Sequence, residues 1–158
     1  MRASPSIPSA LMSSTPTPSQ NATRSGLPRR PKPPSTQDTA FFWAQAKRHQ
    51  LVIQRCCGCS ALRHPPMPVC PRCHSFDWDF VSSPGKGVLF SFTTVHAPMV
   101  EPFDRPYGVG IVELDEQTRL VAVLEDGPTP WRIGMRVKVD FFDCEGGFAL
   151  PVICPEAA

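Results

Sequence analysis

The chain has 158 residues, and its 20 prolines are concentrated toward the N-terminus. Residues 1–38 contain eight Pro, eight Ser and four Thr, whereas all fourteen aromatic residues lie in 39–158. A segment without aromatic residues buries too little apolar surface to offset the backbone entropy that folding costs. We therefore predict a disordered tail at 1–38, dispensable for folding, and a globular unit of about 120 residues, which excludes a large multidomain enzyme.

The net charge of +2 hides an uneven distribution along the chain. Residues 1–38 carry five basic residues and one acidic residue, while residues 39–158 carry eleven basic and thirteen acidic residues. This balance disfavours single-stranded nucleic acid as a partner, because such binders need a positively charged groove. Every apolar run is far shorter than the roughly 20 residues of a membrane helix, and Arg2 is followed by no secretory signal. We expect a cytoplasmic protein without a membrane partner.

The predicted elements begin with a short helix that starts near Thr39 and carries Phe42, Trp43 and Ala46 on one face. A predicted strand at 51–55 follows it. Further along, short β-rich segments are separated by Gly, Pro and charged turns; they span 78–82, 88–95, 107–114, 120–125, 137–142 and 148–153. In the run at 88–95, Val88, Phe90 and Phe92 alternate with other residues. The last five segments suit a five-stranded Greek-key barrel of OB type, so the fold is predicted to be mainly β.

Four of the seven cysteines form two pairs, Cys56-x2-Cys59 and Cys70-x2-Cys73, separated by ten residues. Two residues between cysteines let both sulfurs reach one ion, and two such turns complete a tetrahedron around it. A site closed by four cysteines favours a structural zinc ion, with rubredoxin-type iron and four metal-free thiols as the alternatives. Cys57 is an alternative to Cys56 as the first ligand, although it would break the symmetry of the two pairs.

The order of these motifs resembles that of a known family. The motifs are Phe42-Trp43, the two cysteine pairs, Pro65-Pro66, Gly85-x-Gly87-x2-Phe90, Pro106-Tyr107 and Ile133-Gly134-Met135. They are similar to the family catalogued as "domain of unknown function 35", acyl-CoA-associated proteins in which a rubredoxin-like zinc ribbon precedes an OB fold. The resemblance covers essentially all of 39–158 and implies a helix and ribbon at 39–82 and an OB-fold domain at 83–158. His49-Gln50 departs from the pattern, because the family often has a glycine there.

The resemblance implies a non-catalytic accessory subunit that binds a thiolase-like enzyme, such as an aldolase or condensing enzyme of lipid or steroid side-chain metabolism. The partner would carry the chemistry, and acyl-CoA would be a shared ligand. Some family members instead assist MaoC-like enoyl-CoA hydratases, often through a fused hydratase domain that residues 1–158 lack, so we favour the thiolase-like partner. An OB-fold protein that binds single-stranded nucleic acid is the remaining alternative. In the sequence itself no nucleophile is paired with a base, which disfavours catalysis by this chain alone.

Two further sets of residues follow from the accessory role. We expect Phe41, Phe42 and Trp43 to bind the partner, because three adjacent large aromatic side chains on a short helix cannot all enter one small core. Packing of this helix on its own ribbon is the alternative. In the OB fold, we expect a strand end and the loop after it to line the acyl-CoA passage, through His96, Phe103, Arg105 and Tyr107.

Overall fold

The computed structural model describes residues 26–97, 103, 105–127 and 129–156. Within them, one helix precedes a three-stranded sheet and a closed five-stranded barrel. The elements are α1 (Ala40–Ala46), β1 (Leu51–Cys56), β2 (Leu62–Arg63), β3 (Trp78–Ser83), β4 (Lys86–Val95), β5 (Tyr107–Leu114), β6 (Arg119–Leu124), β7 (Arg136–Cys144) and β8 (Phe148–Pro155). The predicted fold class is confirmed, and the two-residue strand β2 lies between the two cysteine pairs.

Strand β1 is the centre of the three-stranded sheet, with β2 on one side and β3 on the other. Its pairing with β3 is antiparallel and runs from Leu51 opposite Ser83 to Cys56 opposite Trp78. The buried Gln54 on β1 accepts hydrogen bonds at Oε1 from the Arg63 Nε, at 2.7 Å, and from the Met67 backbone N–H, at 2.9 Å. These bonds attach the segment between the cysteine pairs to the central strand.

The barrel has the strand order β4-β5-β6-β8-β7, which is that of an OB fold. Strand β8 completes it by pairing antiparallel with β7 and parallel with β6. Side chains alternate between the interior and the surface as expected for strands, so that Val112 and Leu114 of β5 are buried while Glu113 between them is partly exposed. Gly110 lies in this interior, where an added Cβ would stand 2.8–3.0 Å from Leu124, Ile153 and Leu89.

Strand β4 contains a β-bulge next to its buried residue Leu89. The register with β5 shifts between Leu89 and Ser91, and the extra residue is Phe90. Leu89 is fully buried, whereas Phe90 is 43% exposed, with the Arg119 guanidinium carbon 3.7 Å from its ring centroid. Val88, Phe90 and Phe92 are all at least partly exposed, whereas Gly87 and Leu89 are buried, so the alternating residues seen in the sequence do not face the core.

One apolar core joins the helix and ribbon to the barrel. Phe42 and Ala46 of α1 and Ile53 of β1 belong to the same buried cluster as Leu89 and Ile153 of the barrel. The position of the helix and ribbon on the barrel is therefore fixed by packing.

The turn between α1 and β1 adds a polar contact between the ribbon and the barrel. His49 has φ +57°, the backbone conformation for which glycine is favoured and where the family often has one. Its Nε2 lies 3.1 Å from the Asp143 Oδ1, and its ring lies 6.1 Å from that of Phe141, both on β7. These contacts account for a histidine in a left-handed position, since they offset part of its backbone strain.

Residues 26–38 differ from the disordered tail that their composition predicts. The Glu145 backbone N–H donates to the Pro28 carbonyl at 3.1 Å, and Arg29 pairs with the Glu145 carboxylate at 3.2 Å. The Arg30 guanidinium carbon lies 4.9 Å from the ring centroid of Phe103. This part of the predicted tail therefore lies on the barrel, and the remainder, residues 1–25, lies outside the described residues.

We predict that Phe42→Ala lowers the free energy of unfolding by about 3–5 kcal/mol, because it leaves a cavity where α1 meets the barrel. Phe42 is 4% exposed, whereas Phe76 is 72% exposed and provides the matched control. Phe76→Ala should change the free energy by less than about 0.5 kcal/mol. Urea unfolding of both zinc-loaded variants measures the difference, and equal losses would contradict the assignment of Phe42 to the core.

Candidate metal centre and partner-facing surface

The four cysteines of the two pairs come together at the end of the ribbon where β1 ends, at Cys56. The Sγ atoms of Cys56, Cys59, Cys70 and Cys73 all lie within 4.8 Å of one another. The Cys56 and Cys73 sulfurs are 3.5 Å apart, and the Cys59 and Cys70 sulfurs are 3.6 Å apart. Sulfurs at 2.3 Å from one tetrahedral ion would be separated by about 3.8 Å. The four cysteines therefore fit one structural zinc ion.

The two cysteine turns have the same backbone hydrogen bonds. The Ser60 N–H donates to the Cys56 carbonyl and the His74 N–H donates to the Cys70 carbonyl, each at 2.9 Å. Ser60 and His74 both adopt a left-handed conformation, with φ +58° and +59°. This conformation could not be predicted from the sequence, since neither residue is glycine. Gly58 lies in a crowded position, because a Cβ there would stand 3.2 Å from the Ser75 Cβ and 3.3 Å from the Cys73 sulfur.

The surroundings of the cysteine cluster shift the pKa values of Cys70 and Cys73 in opposite directions. The pKa of Cys70 is lowered to about 6, because the backbone N–H groups of Cys73 and Arg72 donate to its sulfur. The backbone N–H of Ser75 lowers the pKa of Cys73, but the nearby sulfurs, led by that of Cys56, raise it to about 12. Four adjacent thiolates are thus unfavourable alone, and a divalent cation removes that repulsion.

The remaining cysteines lie outside this cluster. Cys57 is exposed, and its backbone N–H donates to the Asp77 carbonyl at 3.0 Å. Cys144 is fully buried, and burial raises the pKa of its thiol above the ordinary value. Cys154 is partly buried, and burial is also the main reason that its pKa is raised to about 11. The choice between Cys56 and Cys57 that the sequence left open is therefore resolved by geometry in favour of Cys56.

The three helix aromatics that we expected to bind a partner have different surroundings. Phe42 is buried in the core, so it cannot contribute to an exposed patch, whereas Phe41 and Trp43 are only partly buried. Phe41 packs on β3, with its ring centroid 4.7 Å from that of Trp78 and 5.5 Å from that of Phe80. We call Phe41, Trp78 and Phe80 the aromatic face. Trp78 and Phe80 were missed, although their i, i+2 spacing on a strand places them on one side.

Trp43 lines a cleft of about 220 Å³ between α1, the segment after β2 and the barrel. The lining residues are Thr39, Phe42, Trp43, His64, Pro65, Pro66, Leu120, Val121 and Pro151. Burial lowers the pKa of His64 to about 4, so its imidazole is neutral near pH 7. The cleft is therefore lined by uncharged and mostly apolar groups.

The four residues expected at the acyl-CoA passage lie around one end of β4 and β5. Val95 at the end of β4 pairs with Tyr107 at the start of β5, so His96 lies next to this pair and is exposed. The rings of Phe103 and Tyr107 are stacked, with centroids 4.2 Å apart. Arg105 pairs with Asp126 at 2.6 Å. Residues 98–102 and 104 of the connecting loop lie outside the described residues.

None of the helices in the described residues is long and apolar enough to cross a membrane.

Two family models match the chain in the order of its structural units. Residues 43–79 match the model described as "ChsH2, rubredoxin-like zinc ribbon domain". Residues 80–142 match the model described as "ChsH2, C-terminal OB-fold domain". The predicted ribbon and barrel are thus confirmed by sequence models that are independent of the coordinates.

Among curated proteins, the chain is similar to a "Probable enoyl-CoA hydratase alpha subunit" of Thermomonospora curvata, with 46% identity over 127 residues. That match covers 80% of this chain but only 40% of the relative's length. A "DUF35 domain-containing scaffold protein" of Methanocaldococcus jannaschii is 31% identical, over 63% of this chain and 73% of that protein. The "Benzoylsuccinyl-CoA thiolase subunit BbsA" of Thauera aromatica is 28% identical, over 68% of this chain and 79% of that protein.

Among solved structures, the chain is similar to one titled "Ltp2-ChsH2(DUF35) aldolase", with a TM-score of 0.74 and 44% sequence identity. The match covers 80% of this chain and 100% of that chain. A DUF35 protein of unknown function from Sulfolobus solfataricus has the same fold, with a TM-score of 0.55 at 12% identity.

We predict about one zinc ion per chain, measured by elemental analysis of the purified protein, and loss of both zinc and fold in Cys70→Ser. Structural zinc in small ribbons contributes on the order of 10–16 kcal/mol of apparent binding free energy, comparable with the stability of a whole domain. Cys57→Ser is the control, because this exposed thiol lies outside the cluster. A variant at Cys57 that lost its zinc, or a zinc-free protein with an unchanged melting curve, would contradict the assignment.

The residues that match the ribbon model directly precede those that match the C-terminal OB-fold model, and the four clustered cysteines lie inside the ribbon match. A DUF35 scaffold protein is 31% identical over most of its own length. The chain therefore belongs to the DUF35 family.

Proposed function

We propose that this chain is a non-catalytic accessory subunit of a thiolase-like acyl-CoA enzyme. The observation that carries the proposal is its 44% identity to the chain from the Ltp2-ChsH2(DUF35) aldolase, which it covers completely. Similarity to a benzoylsuccinyl-CoA thiolase subunit points to the same class of partner. In this role the chain acts in the cytoplasm, and the partner supplies the groups that react with the acyl-CoA.

The chemistry of the metal centre supports a structural role. Cys56, Cys59, Cys70 and Cys73 would fill all four ligand positions of a tetrahedral ion. Such a closed site leaves no position for water or a substrate, and zinc there stabilises the fold. The ion would hold the two cysteine turns together without taking part in acyl transfer.

The aromatic face provides the surface for the partner. Phe80 is 41% exposed although it stacks on Phe41, so the contacts within this chain leave much of its ring free. Beside it on β3, Asp79 accepts a hydrogen bond from the Arg55 Nε at 2.8 Å. An apolar centre next to a satisfied ion pair is a common arrangement at protein interfaces. We keep the partner-binding role expected from the sequence for Phe41 and for Trp43, which lines the cleft. Phe42 has no such role, because it is buried in the core.

The barrel end near Tyr107 provides the contact with the shared ligand. His96, Phe103, Arg105 and Tyr107 lie around one end of the β4–β5 pair, where an exposed imidazole and two stacked rings occur together. We propose that this end closes over the acyl-CoA as it enters the partner's active site.

A hydratase partner is the second candidate, because a relative with 46% identity is named an enoyl-CoA hydratase alpha subunit. This chain spans 40% of that relative's length. Co-expression with a thiolase-like and a MaoC-like candidate, followed by affinity purification through this chain, separates the two proposals by the enzyme that is retained.

We predict that the isolated chain has no acyl-CoA turnover and that the complex with its thiolase-like partner does. The measurement is steady-state turnover of an acyl-CoA substrate by each component and by the complex. Turnover by the isolated chain, or full activity of the partner without it, would overturn the accessory role.

We predict that Phe80→Asp blocks assembly, because a carboxylate would have to be buried unpaired in an apolar interface. The variant should fold, since Phe80 is on the surface. Ile133→Asp is the control: it introduces the same charge at a residue that is 68% exposed and far from β3 in sequence. Size-exclusion chromatography with the partner is the measurement, and a complex that survives Phe80→Asp would exclude the aromatic face as the interface. Phe42→Asp is not suitable for this experiment, because the Phe42 side chain is in the core and the variant would report on folding.

A further inference from the structure

The segment at 26–38, which we call the strap, connects two parts of the barrel surface before it enters α1. At its start, the Pro28 carbonyl accepts a hydrogen bond from the Glu145 N–H, in the turn between β7 and β8, at 3.1 Å. Two residues later, Arg30 reaches Phe103 in the loop that precedes β5. At its end, the Thr36 carbonyl accepts hydrogen bonds from the N–H groups of Thr39 and Ala40 at the start of the helix. The strap therefore joins a hairpin turn, the β4–β5 loop and the helix.

Arg30 and Tyr107 both contact the ring of Phe103, and we call these three residues the stack. Tyr107 is stacked on the Phe103 ring, with centroids 4.2 Å apart and the ring planes 20° from parallel. The guanidinium carbon of Arg30 lies over the same ring, 4.9 Å from its centroid. The Arg30 Nε is buried and has no hydrogen-bond partner among the described residues, while its Nη1 donates to the Arg29 carbonyl at 2.9 Å. Contact with the ring is thus the main interaction of this guanidinium.

We propose that Arg30 is a positioning residue that keeps the Phe103 ring stacked on Tyr107, so that the strap fixes one wall of the acyl-CoA passage. The role of the stack as a passage wall rests on the proposed function, whereas the positioning by Arg30 does not. Phe103 is in a loop rather than a strand, so no ladder of backbone hydrogen bonds determines where its ring lies. A cation and an aromatic ring that both lie against the Phe103 ring provide that constraint.

The neighbouring arginine has a different environment and provides a matched control. Arg29 pairs with Glu145, and both side chains are mostly exposed. An exposed ion pair of this kind contributes little to the free energy of unfolding and is screened by salt. Arg29→Gln therefore removes the same charge from the same segment as Arg30→Gln and leaves the stack in place.

The composition of the chain makes the stack directly observable. Tyr107 is the single tyrosine, so incorporation of 3-fluorotyrosine gives one fluorine NMR resonance from the folded protein. Phe103→Leu gives the resonance position for Tyr107 without its stacked ring. We expect Arg30→Gln to move the resonance toward that position. Arg30→Lys should move it less, because a cation is kept. Arg29→Gln should leave the resonance where it is in the unmodified chain. A resonance for Arg30→Gln that coincides with that of the unmodified chain would overturn the inference.

Two truncations test the strap itself. Removal of residues 1–25 keeps Pro28, Arg29 and Arg30 and should leave the Tyr107 resonance in place. Removal of residues 1–31 should move it as Arg30→Gln does. If the shorter truncation has the full effect of the longer one, the stack is held by residues before the strap and the assignment to Arg30 is wrong.

Turnover by the complex with the thiolase-like partner separates this inference from the proposed function. If the stack lines the passage, Arg30→Gln should raise KM for the acyl-CoA roughly two- to five-fold with little change in kcat, the size expected for one cation–π contact. A moved fluorine resonance with unchanged KM would support the positioning by Arg30 and contradict the passage role of the stack. An unmoved resonance would overturn the positioning whatever the kinetics.

Discussion

The convergence of four sulfurs on one ion is the constraint on which the ribbon depends. In residues 56–76, the buried side chains are those of Cys56, Arg63 and Cys70, so the ribbon has almost no apolar interior at this end. Cys56 lies opposite Trp78 in the sheet, and the ion therefore fixes the start of β3 as well as the end of β1. The position of the aromatic side chains of β3 therefore depends on the metal ion.

At the other end of the ribbon, apolar packing takes over from the metal. Phe42 and Ile53 belong to the same cluster as the barrel residues Leu89 and Ile153, so the ribbon and the barrel share one interior. Two units that share a core keep a fixed relative position better than units joined by a linker alone. A partner that binds the aromatic face would therefore meet the barrel end near Tyr107 at a defined distance and orientation.

Local patterns account for the parts of the structure that the sequence predicted. The spacing of Cys56, Cys59, Cys70 and Cys73 is a local signal, because it depends on turn geometry and on the bond length to one ion. The β-rich composition of the barrel segments and the Gly, Pro and charged turns between them are local signals as well, and they led to the correct barrel strands.

The parts that were missed depend on contacts between residues far apart in the chain. The bulge at Phe90 depends on how β4 pairs with β5, and nothing in the sequence around it indicates the register shift. Phe42 is buried because barrel residues cover it, and Arg30 is ordered by a ring 73 positions later in the numbering. The composition of residues 26–38 indicates that they cannot fold by themselves. This is compatible with their position on the barrel, because the barrel surface is formed by other residues.

The parallel pairing of β8 with β6 has a consequence for how the chain folds during synthesis. Strands β4, β5 and β6 can pair as a meander as soon as they leave the ribosome, but the free edge of β6 is covered only when β8 has been made. Until then an unpaired strand edge is exposed beside Val121, whose side chain faces outward even in the finished barrel. Such edges are where immature chains associate with one another. The interval between synthesis of residue 124 and residue 155 is therefore the period in which a chaperone would protect this protein best.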